Sequence, residues 1–220
     1  MPQDDAAAPE PMPTVYTVGH SNHSLGAFLA LLERHGIRTL VDVRSQPYSR
    51  YVTHFNREEL EGAVERRQIK YVYGGDELGG RPIGDEFYDV QSHVRYGRVA
   101  ASLWFRAGIE ALLDEAVLAK TAILCSEEDP AGCHRHLLIA RVLAEQGVPV
   151  RHIRADGREQ PEAELAGPPQ RPVAEQLSLF GEAATAPSEE DAWRSIRPVS
   201  PRKAPPSSSA RSGEPASDDW

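Results

Sequence analysis

Reactive side chains are concentrated in one stretch of the sequence, Cys125 to Arg135. It holds two thiols, three carboxylates, an imidazole and a guanidinium. An apolar run over 121–124 precedes it and predicts a buried strand, and an amphipathic run from Leu137 predicts a helix. The reactive residues are therefore predicted to lie on a strand-to-helix turn. Because open α/β sheets bind ligands at the carboxyl ends of their strands, we expect any chemistry at that edge.

Strands and helices alternate along the part of the chain that can form a core. Short apolar runs predict strands at 15–18, 39–43, 69–73, 121–125 and 150–153. Amphipathic runs predict helices at 25–35, 57–68, 98–119 and 134–146, with Ser24 and Asn56 as N-caps of the first two. This alternation predicts an α/β fold, with a mainly parallel sheet of about five strands and helices on both faces.

Polar residues follow two other predicted strands and should reach the same edge as the turn. Gly19-His20-Ser21 follows the first strand and Asp42-Val43-Arg44 the second. Guanidinium groups and helix N-termini bind phosphate or carboxylate, so we predict an anion site there. Its candidate residues are His20, Ser21, Arg44, Ser49, Arg81 and Arg135. Candidates for catalysis are Cys125 as a nucleophile, with Asp42, Glu127 and His134 for acid–base work.

Other interpretations of the same residues stay open. Cys125 is also compatible with inert packing, which is common for a buried cysteine at a strand end because it behaves as a small apolar residue. Asp42 is also compatible with a capping role or with pairing to a neighbour. Together, Cys125, Cys133 and His134 could ligate a metal, but C-x7-C-H is not a recurring zinc spacing, so we predict no metal site. The sequence does not identify a cofactor.

The motifs, taken together and in order, resemble a known family. They are Gly19-His20-Ser21, Asp42-Val43-Arg44, Pro47 with Ser49, Phe55, Leu78-Gly79-Gly80, and Cys125-x-Glu127 with Cys133-His134-Arg135. In this order they resemble the family catalogued as domain of unknown function 488, over about residues 14–153. The resemblance implies an α/β fold and supplies no reaction, so the functional prediction rests on the residues themselves.

Composition separates a domain from its flanking segments. Residues 14–155 are nearly neutral, whereas most of the net charge of −9 lies outside them. We predict a disordered N-terminus at 1–13, an α/β domain at 14–155, a linker at 156–175 and a disordered tail at 181–220. A near-neutral domain argues against broad duplex binding, which needs clustered basic residues. We find no signal peptide or membrane-length apolar run and expect a cytoplasmic protein without a membrane partner.

One apolar pentapeptide, Gln176-Leu177-Ser178-Leu179-Phe180, interrupts the polar C-terminal region. It is similar to the bacterial sliding-clamp-binding motif, in which Leu177, Leu179 and Phe180 would enter an apolar groove and the Gln176 amide would set the register. The alternatives are an extra strand on the domain and a chance match.

Three hypotheses follow. The first is a replication or repair protein, recruited to the DNA polymerase sliding clamp, that acts on or senses a nucleic acid or nucleotide. The second is a small-molecule enzyme of thiol or metal type with an accidental tail motif. The third is a non-catalytic anion-binding module.

Overall fold

The computed structural model describes residues 12–165 and 193–202. Six strands form one sheet in the spatial order β3-β2-β4-β1-β5-β6. The first five strands are parallel, and β6 pairs antiparallel with β5. The predicted α/β fold with a mainly parallel sheet is therefore confirmed. The strands are β1 Val15–Gly19, β2 Thr39–Asp42, β3 Lys70–Tyr73, β4 Thr121–Cys125, β5 Val150–Ile153 and β6 Glu159–Pro161.

Helices cover both faces of this sheet. Every residue of β2 and β4 is buried, as expected for strands covered on both sides. Alternation along β4 divides the core, since Ile123 packs in one apolar cluster and Ala122 and Leu124 pack in the other. The helices are α1 Leu25–Arg34, α2 Arg57–Glu65, α3 Tyr96–Ala101, α4 Leu103–Leu118, a π-helical turn Arg135–Ala140 that continues into α5 Arg141–Glu145, and α6 Glu162–Leu165. Short 3-10 turns occur at Thr53–Phe55, Asp85–Phe87 and Pro130–Gly132.

Two of the helix predictions need correction. Ser24 does cap α1, since its hydroxyl accepts a hydrogen bond from Ala27 N at 3.2 Å. The Asn56 side chain does not cap α2; it accepts from Ser49 N at 2.7 Å and holds the preceding loop. The long helix expected at 98–119 is divided at Ser102, whose extended backbone ends α3 and whose hydroxyl caps α4.

Residues 156–165, which were predicted to begin a linker, belong to the folded domain. Residues 159–165 of this segment form β6 and α6, and β6 completes the edge of the sheet beside β5. The polar composition of this segment fits an edge strand that is only half-buried.

Residues 193–202, which were expected to belong to a disordered tail, also pack on the domain. We call them the C-terminal strap. Trp193 Nε1 donates to the Leu137 carbonyl at 2.6 Å, and Arg141 stacks over the indole at 4.2 Å. Val94 and Ser195 exchange hydrogen bonds of 2.9 Å through Ser195 N and Oγ. Within the two described ranges, no helix is long and apolar enough to cross a membrane.

Candidate functional site

The carboxyl ends of β1, β2 and β4 meet as the sequence predicted. Gly19 pairs with Cys125, and Asp42 pairs with Leu124. A cleft of about 510 Å³ opens at this edge, between the Cys125–His134 turn, the loop after β2 and the C-terminal strap. The turn is therefore placed where a ligand of a parallel sheet is expected.

The loop after β4 folds back on itself and brings its two ends together. The Asp129 carboxylate accepts from Ala131 N at 3.2 Å, and Pro130 starts the 3-10 turn that leads to Cys133. Gly19 is required beneath this loop, because a Cβ there would lie 1.8 Å from the Glu127 carbonyl oxygen. The close approach of two backbones thus sets the position of the loop on β1.

Two free thiols and an imidazole line the cleft as one cluster. Cys133 Sγ lies 3.2 Å from Cys125 Sγ, and His134 Nδ1 lies 3.7 Å from each sulfur. The other ring nitrogen, His134 Nε2, lies 3.2 Å from the Val43 carbonyl. Because a carbonyl only accepts, Nε2 carries a proton and Nδ1 faces the sulfurs. This contact orients the imidazole toward the thiols.

The electrostatics of this cluster favour a thiolate on Cys125. The hydrogen bond from Cys133 lowers the Cys125 pKa, and the nearby His134 and Arg135 add to this effect against the cost of burial. Burial is the largest influence and disfavours the charged imidazole, but the interactions with Cys125, the Val43 carbonyl and Glu127 together outweigh this cost and raise the His134 pKa. Opposite shifts of this kind describe a thiolate–imidazolium pair, which is the usual form of an activated cysteine.

Glycine packing restrains the imidazole from the opposite side. A Cβ at Gly80 would lie 2.8 Å from the His134 ring, so the Leu78-Gly79-Gly80 segment touches the ring directly. Gly79 is similarly close to Ser45, whose hydroxyl accepts from Arg81 N at 2.9 Å. The glycine-rich loop after β3 therefore positions both the imidazole and the backbone of Arg81.

Asp42 and Arg44 form a buried pair and are not free groups of the cleft. Asp42 is 0% exposed and accepts from Arg44 Nε at 2.8 Å and from Arg44 Nη2 at 2.5 Å. Tyr71 donates to the same carboxylate at 2.7 Å, and Arg44 Nη1 donates to the Phe55 carbonyl at 2.9 Å. These contacts give Asp42 the pairing role that the sequence left open, in place of acid–base work on a ligand.

Arg135 is also committed to the protein interior. It is fully buried, donates from Nη1 to Thr17 Oγ1 at 3.3 Å, and donates from Nη2 to the Glu128 carbonyl. It therefore joins the loop after β4 to β1. Its positive charge acts on Cys125 from the protein interior, and its guanidinium does not face the cleft as an anion ligand.

Three other predicted anion ligands, His20, Ser21 and Ser49, are not among the residues that line the cleft. His20 stacks on Phe55 with ring centroids 4.4 Å apart, and burial lowers its pKa to about 4. It is therefore neutral near pH 7. Ser21 N donates to the Ser126 carbonyl at 2.9 Å, and the Ser49 hydroxyl accepts from two amides of its own loop. Their contacts in the described structure organise loops.

The exposed charges that line the cleft are Arg81, Glu127 and Arg197. The first two were predicted as site residues, but Arg197 was not. Arg197 comes from the C-terminal strap, which lines the cleft with residues 195–199. The sequence offered one signal for the strap, an isolated tryptophan at 193 in polar surroundings. Gln176, Leu177, Leu179 and Phe180 lie outside the described residues.

Three ligand-type atoms of this cluster lie close enough to share one ion. The two Sγ atoms and one ring nitrogen of Cys125, Cys133 and His134 lie within 4.8 Å of one another. Two thiolates, one imidazole and an open fourth position form a donor set that zinc accepts. The site can therefore support either thiolate chemistry or a soft metal, which the sequence spacing did not predict.

The fold and the site define an α/β protein with a paired-thiol cluster at the carboxyl ends of its parallel strands. The sequence profile of the family described as domain of unknown function DUF488 matches residues 24–142, more than half of the chain. The chain belongs to this family. The matched range includes the glycine-rich loop and the Cys125–His134 turn, and it begins after Gly19-His20-Ser21. No curated protein and no solved structure gave a significant match.

Proposed function

We propose that the protein is a thiol-dependent enzyme that acts on a substrate with an anionic group in this cleft. The observation that carries the proposal is the contact of Cys125 Sγ with both Cys133 Sγ at 3.2 Å and His134 Nδ1 at 3.7 Å. A disulfide would require an S–S distance near 2.0 Å, so these sulfurs are two separate thiol groups. One of them is held where it can ionise.

In this mechanism the Cys125 thiolate attacks an electrophilic centre of the substrate. A bond forms between Cys125 Sγ and that centre, and the leaving group departs with its electron pair and takes a proton from His134 Nδ1. Cys133 stabilises the resting thiolate by donating its S–H. Exposed Arg81 and Arg197 supply the charge that favours an anionic group, and Glu127, which also lines the cleft, would activate water for release of the adduct.

The test is alkylation by iodoacetamide, followed as a function of pH. We expect Cys125 to react with a rate profile that bends well below the ordinary thiol pKa of about 8.5. The Cys133→Ala variant should shift the bend upward, because it removes the S–H group that donates a hydrogen bond to the Cys125 thiolate. Loss of labelling in Cys125→Ser confirms the site. An ordinary profile at Cys125 in the wild type would contradict the proposal.

Anion binding is tested in the same assay. Inorganic phosphate or a nucleoside monophosphate should protect Cys125 from alkylation, and Arg81→Ala should weaken this protection. Arg50→Ala is a matched control, since Arg50 is exposed and contacts Tyr51 instead of the cleft. Equal protection in both variants would remove Arg81 from the proposed site.

The second part of the proposal is recruitment to the DNA polymerase sliding clamp by residues 176–180. It is supported by the sequence, since each of the five positions fits the motif. With this recruitment, the anionic substrate would be a nucleotide or a nucleic-acid strand end, which the near-neutral domain favours over a long duplex. A short anchor of this kind raises the local concentration of the domain at DNA.

The recruitment test is clamp binding by the full-length protein, beside the Leu179→Ala/Phe180→Ala double variant. Ser178→Ala is the matched control, because the motif requires only a small or acidic residue there. We expect binding by the wild type and the control, and loss in the double variant. If the wild type does not bind, the pentapeptide is a coincidence and the thiol proposal stands alone.

A zinc enzyme is the second candidate function, favoured by the three ligand atoms of Cys125, Cys133 and His134. It predicts stoichiometric zinc that disappears in Cys125→Ser, and alkylation that becomes fast only after chelation. Rapid alkylation of the untreated protein would exclude this candidate.

A further inference from the structure

A second cluster of ligand-type side chains lies outside the cleft. His136 comes from the π-helical turn, His152 from β5 and Glu162 from α6. Their ligand atoms all lie within 4.8 Å of one another. His152 is fully buried, while the side chains of His136 and Glu162 are 15% and 12% exposed. Three elements that are distant in sequence therefore converge on one largely enclosed point.

A single carboxylate faces both imidazoles. His152 Nε2 lies 2.6 Å from Glu162 Oε2, and His136 Nδ1 lies 2.7 Å from Glu162 Oε1. Only the His152 contact has hydrogen-bond geometry. His136 Nδ1 is buried and has no hydrogen-bond partner among the described residues, although it is close to the carboxylate. One carboxylate therefore lies within 2.7 Å of a ring nitrogen of each imidazole, which is the arrangement of three groups around a shared ion.

The far side of His152 is oriented in the manner of a metal ligand. Its Nδ1 lies 2.7 Å from Thr17 Oγ1, which also accepts from Arg135 Nη1 at 3.3 Å. When Nδ1–H donates to this hydroxyl oxygen, the Nε2 lone pair is directed at the cluster. Metal-bound histidines usually donate their other ring N–H to an oxygen acceptor, most often a carboxylate, a backbone carbonyl or water, and the Thr17 hydroxyl takes this place here.

We propose that His136, His152 and Glu162 bind a divalent transition ion of the zinc type. Two imidazoles and one carboxylate are a known zinc donor set, and the fourth position is left for water or another ligand. Bonds of about 2.0–2.2 Å in a tetrahedral site place ligand atoms about 3.3 Å apart. The two N···O distances would therefore lengthen by several tenths of an ångström. Glu162 can supply this shift, because it lies on the short helix α6 at the edge of the fold.

The ion would connect α6 to the strand β5 and to the helix that follows the reactive turn. Since the ligands come from residues 136, 152 and 162, metal binding would cross-link segments that are otherwise joined by polar contacts. The site would therefore stabilise the end of the domain independently of the proposed thiol chemistry.

The test is the zinc content and melting temperature of the full-length protein, with variants at both clusters. We expect about one zinc per chain that persists in Cys125→Ser/Cys133→Ser and is lost in Glu162→Gln. Zinc at a hundredfold excess over its dissociation constant should raise the melting temperature by roughly 5–10 °C. Glu162→Gln is chosen because its amide keeps the shape of the carboxylate and should leave the fold intact.

His35→Ala is the matched control, because His35 pairs with Glu159 at 3.0 Å in the same region but has only one imidazole at its carboxylate. It should keep its zinc. Cobalt substitution gives a second measurement, since a His2Glu site lacks the sulfur-to-cobalt charge-transfer band of a thiolate site. The proposal is overturned if the cysteine variant loses all zinc, or if zinc leaves the melting temperature of a well-folded wild type unchanged.

Discussion

Replacing Asp42 by Asn separates a structural carboxylate from a catalytic one. Asp42 is 0% exposed and Arg44 is 6% exposed, and two hydrogen bonds join their side chains. Asn has the same shape and leaves no cavity, so the variant removes the negative charge and replaces one of the two acceptor oxygens by an NH2 donor. The Arg44 guanidinium then remains buried without a counter-charge. Breaking a buried ion pair in this way lowers the free energy of unfolding by about 3–5 kcal/mol. We expect a loss near about 3 kcal/mol for Asp42→Asn, because the amide oxygen can still accept one hydrogen bond.

The measurement is urea unfolding followed by circular dichroism. With a denaturant slope of about 2 kcal/mol per molar urea, the midpoint should fall by about 1.5 M with little change in slope. Glu33→Gln is the control, because the Glu33–Arg67 pair is 44% and 47% exposed and should change stability by less than about 1 kcal/mol. Equal, small losses in both variants would refute the assignment of Asp42 to a buried structural pair.

Three further predictions test the packing and the electrostatics of the site. Gly19→Ala should lower the free energy of unfolding by about 3 kcal/mol, because its methyl group would meet the Glu127 carbonyl at 1.8 Å. Gly26→Ala, with nothing within 4 Å, should instead raise it by roughly 0.5–1 kcal/mol in the same urea experiment. Gly80→Ala should displace the His134 ring and raise the Cys125 pKa, so that alkylation of Cys125 at pH 6 slows roughly tenfold for each unit of the pKa increase. Gly132→Ala is the control and should leave the alkylation rate unchanged, because a Cβ there has nothing within 4 Å. His20 has a folded-state pKa of about 4, below its ordinary value of 6.5, so the unfolded chain binds its proton first as the pH falls. The contribution of neutral His20 to the free energy of unfolding should be complete above pH 6.5 and should decline by at most about 3 kcal/mol as the pH falls toward 4. The His20→Phe variant should show a smaller decrease in the free energy of unfolding over this pH range.

The parallel sheet could be predicted because its strands are short apolar runs separated by amphipathic helices. The same pattern placed the Cys125 turn correctly at the carboxyl edge. The division at Ser102 was missed because the apolar periodicity continues across it, and only the serine hydroxyl, as an N-cap, marks the new start. The edge strand β6 was missed because its residues are half-buried and polar, and such a strand has no apolar alternation to recognise.

The sequence predicted several residues of the candidate site correctly but did not predict the contacts that each of them makes. Sequence alone could not show that Asp42 and Arg44 pair with each other, because two residues of opposite charge near a strand end fit a ligand site equally well. The 3.2 Å contact between Cys125 and Cys133 depends on the 3-10 turn at Pro130–Gly132, which closes the loop between them. The C-x7-C-H spacing argued against a metal site shared by the two cysteines, but the 3-10 turn folds the loop so that the two sulfurs lie side by side.

The C-terminal strap changes how the two proposed activities are connected. The clamp-binding-like pentapeptide lies between α6, which ends at Leu165, and Trp193, which is anchored on the Leu137 carbonyl. The chain therefore returns to the domain after the pentapeptide and then supplies Ser195 and Arg197 to the cleft. On the proposed recruitment, the clamp would hold a segment attached to the domain at both ends, which limits the orientations of the domain more than a single tether does. The cleft wall and the recruiting peptide would then belong to one continuous segment, so the clamp would position the thiol site as well as concentrate it.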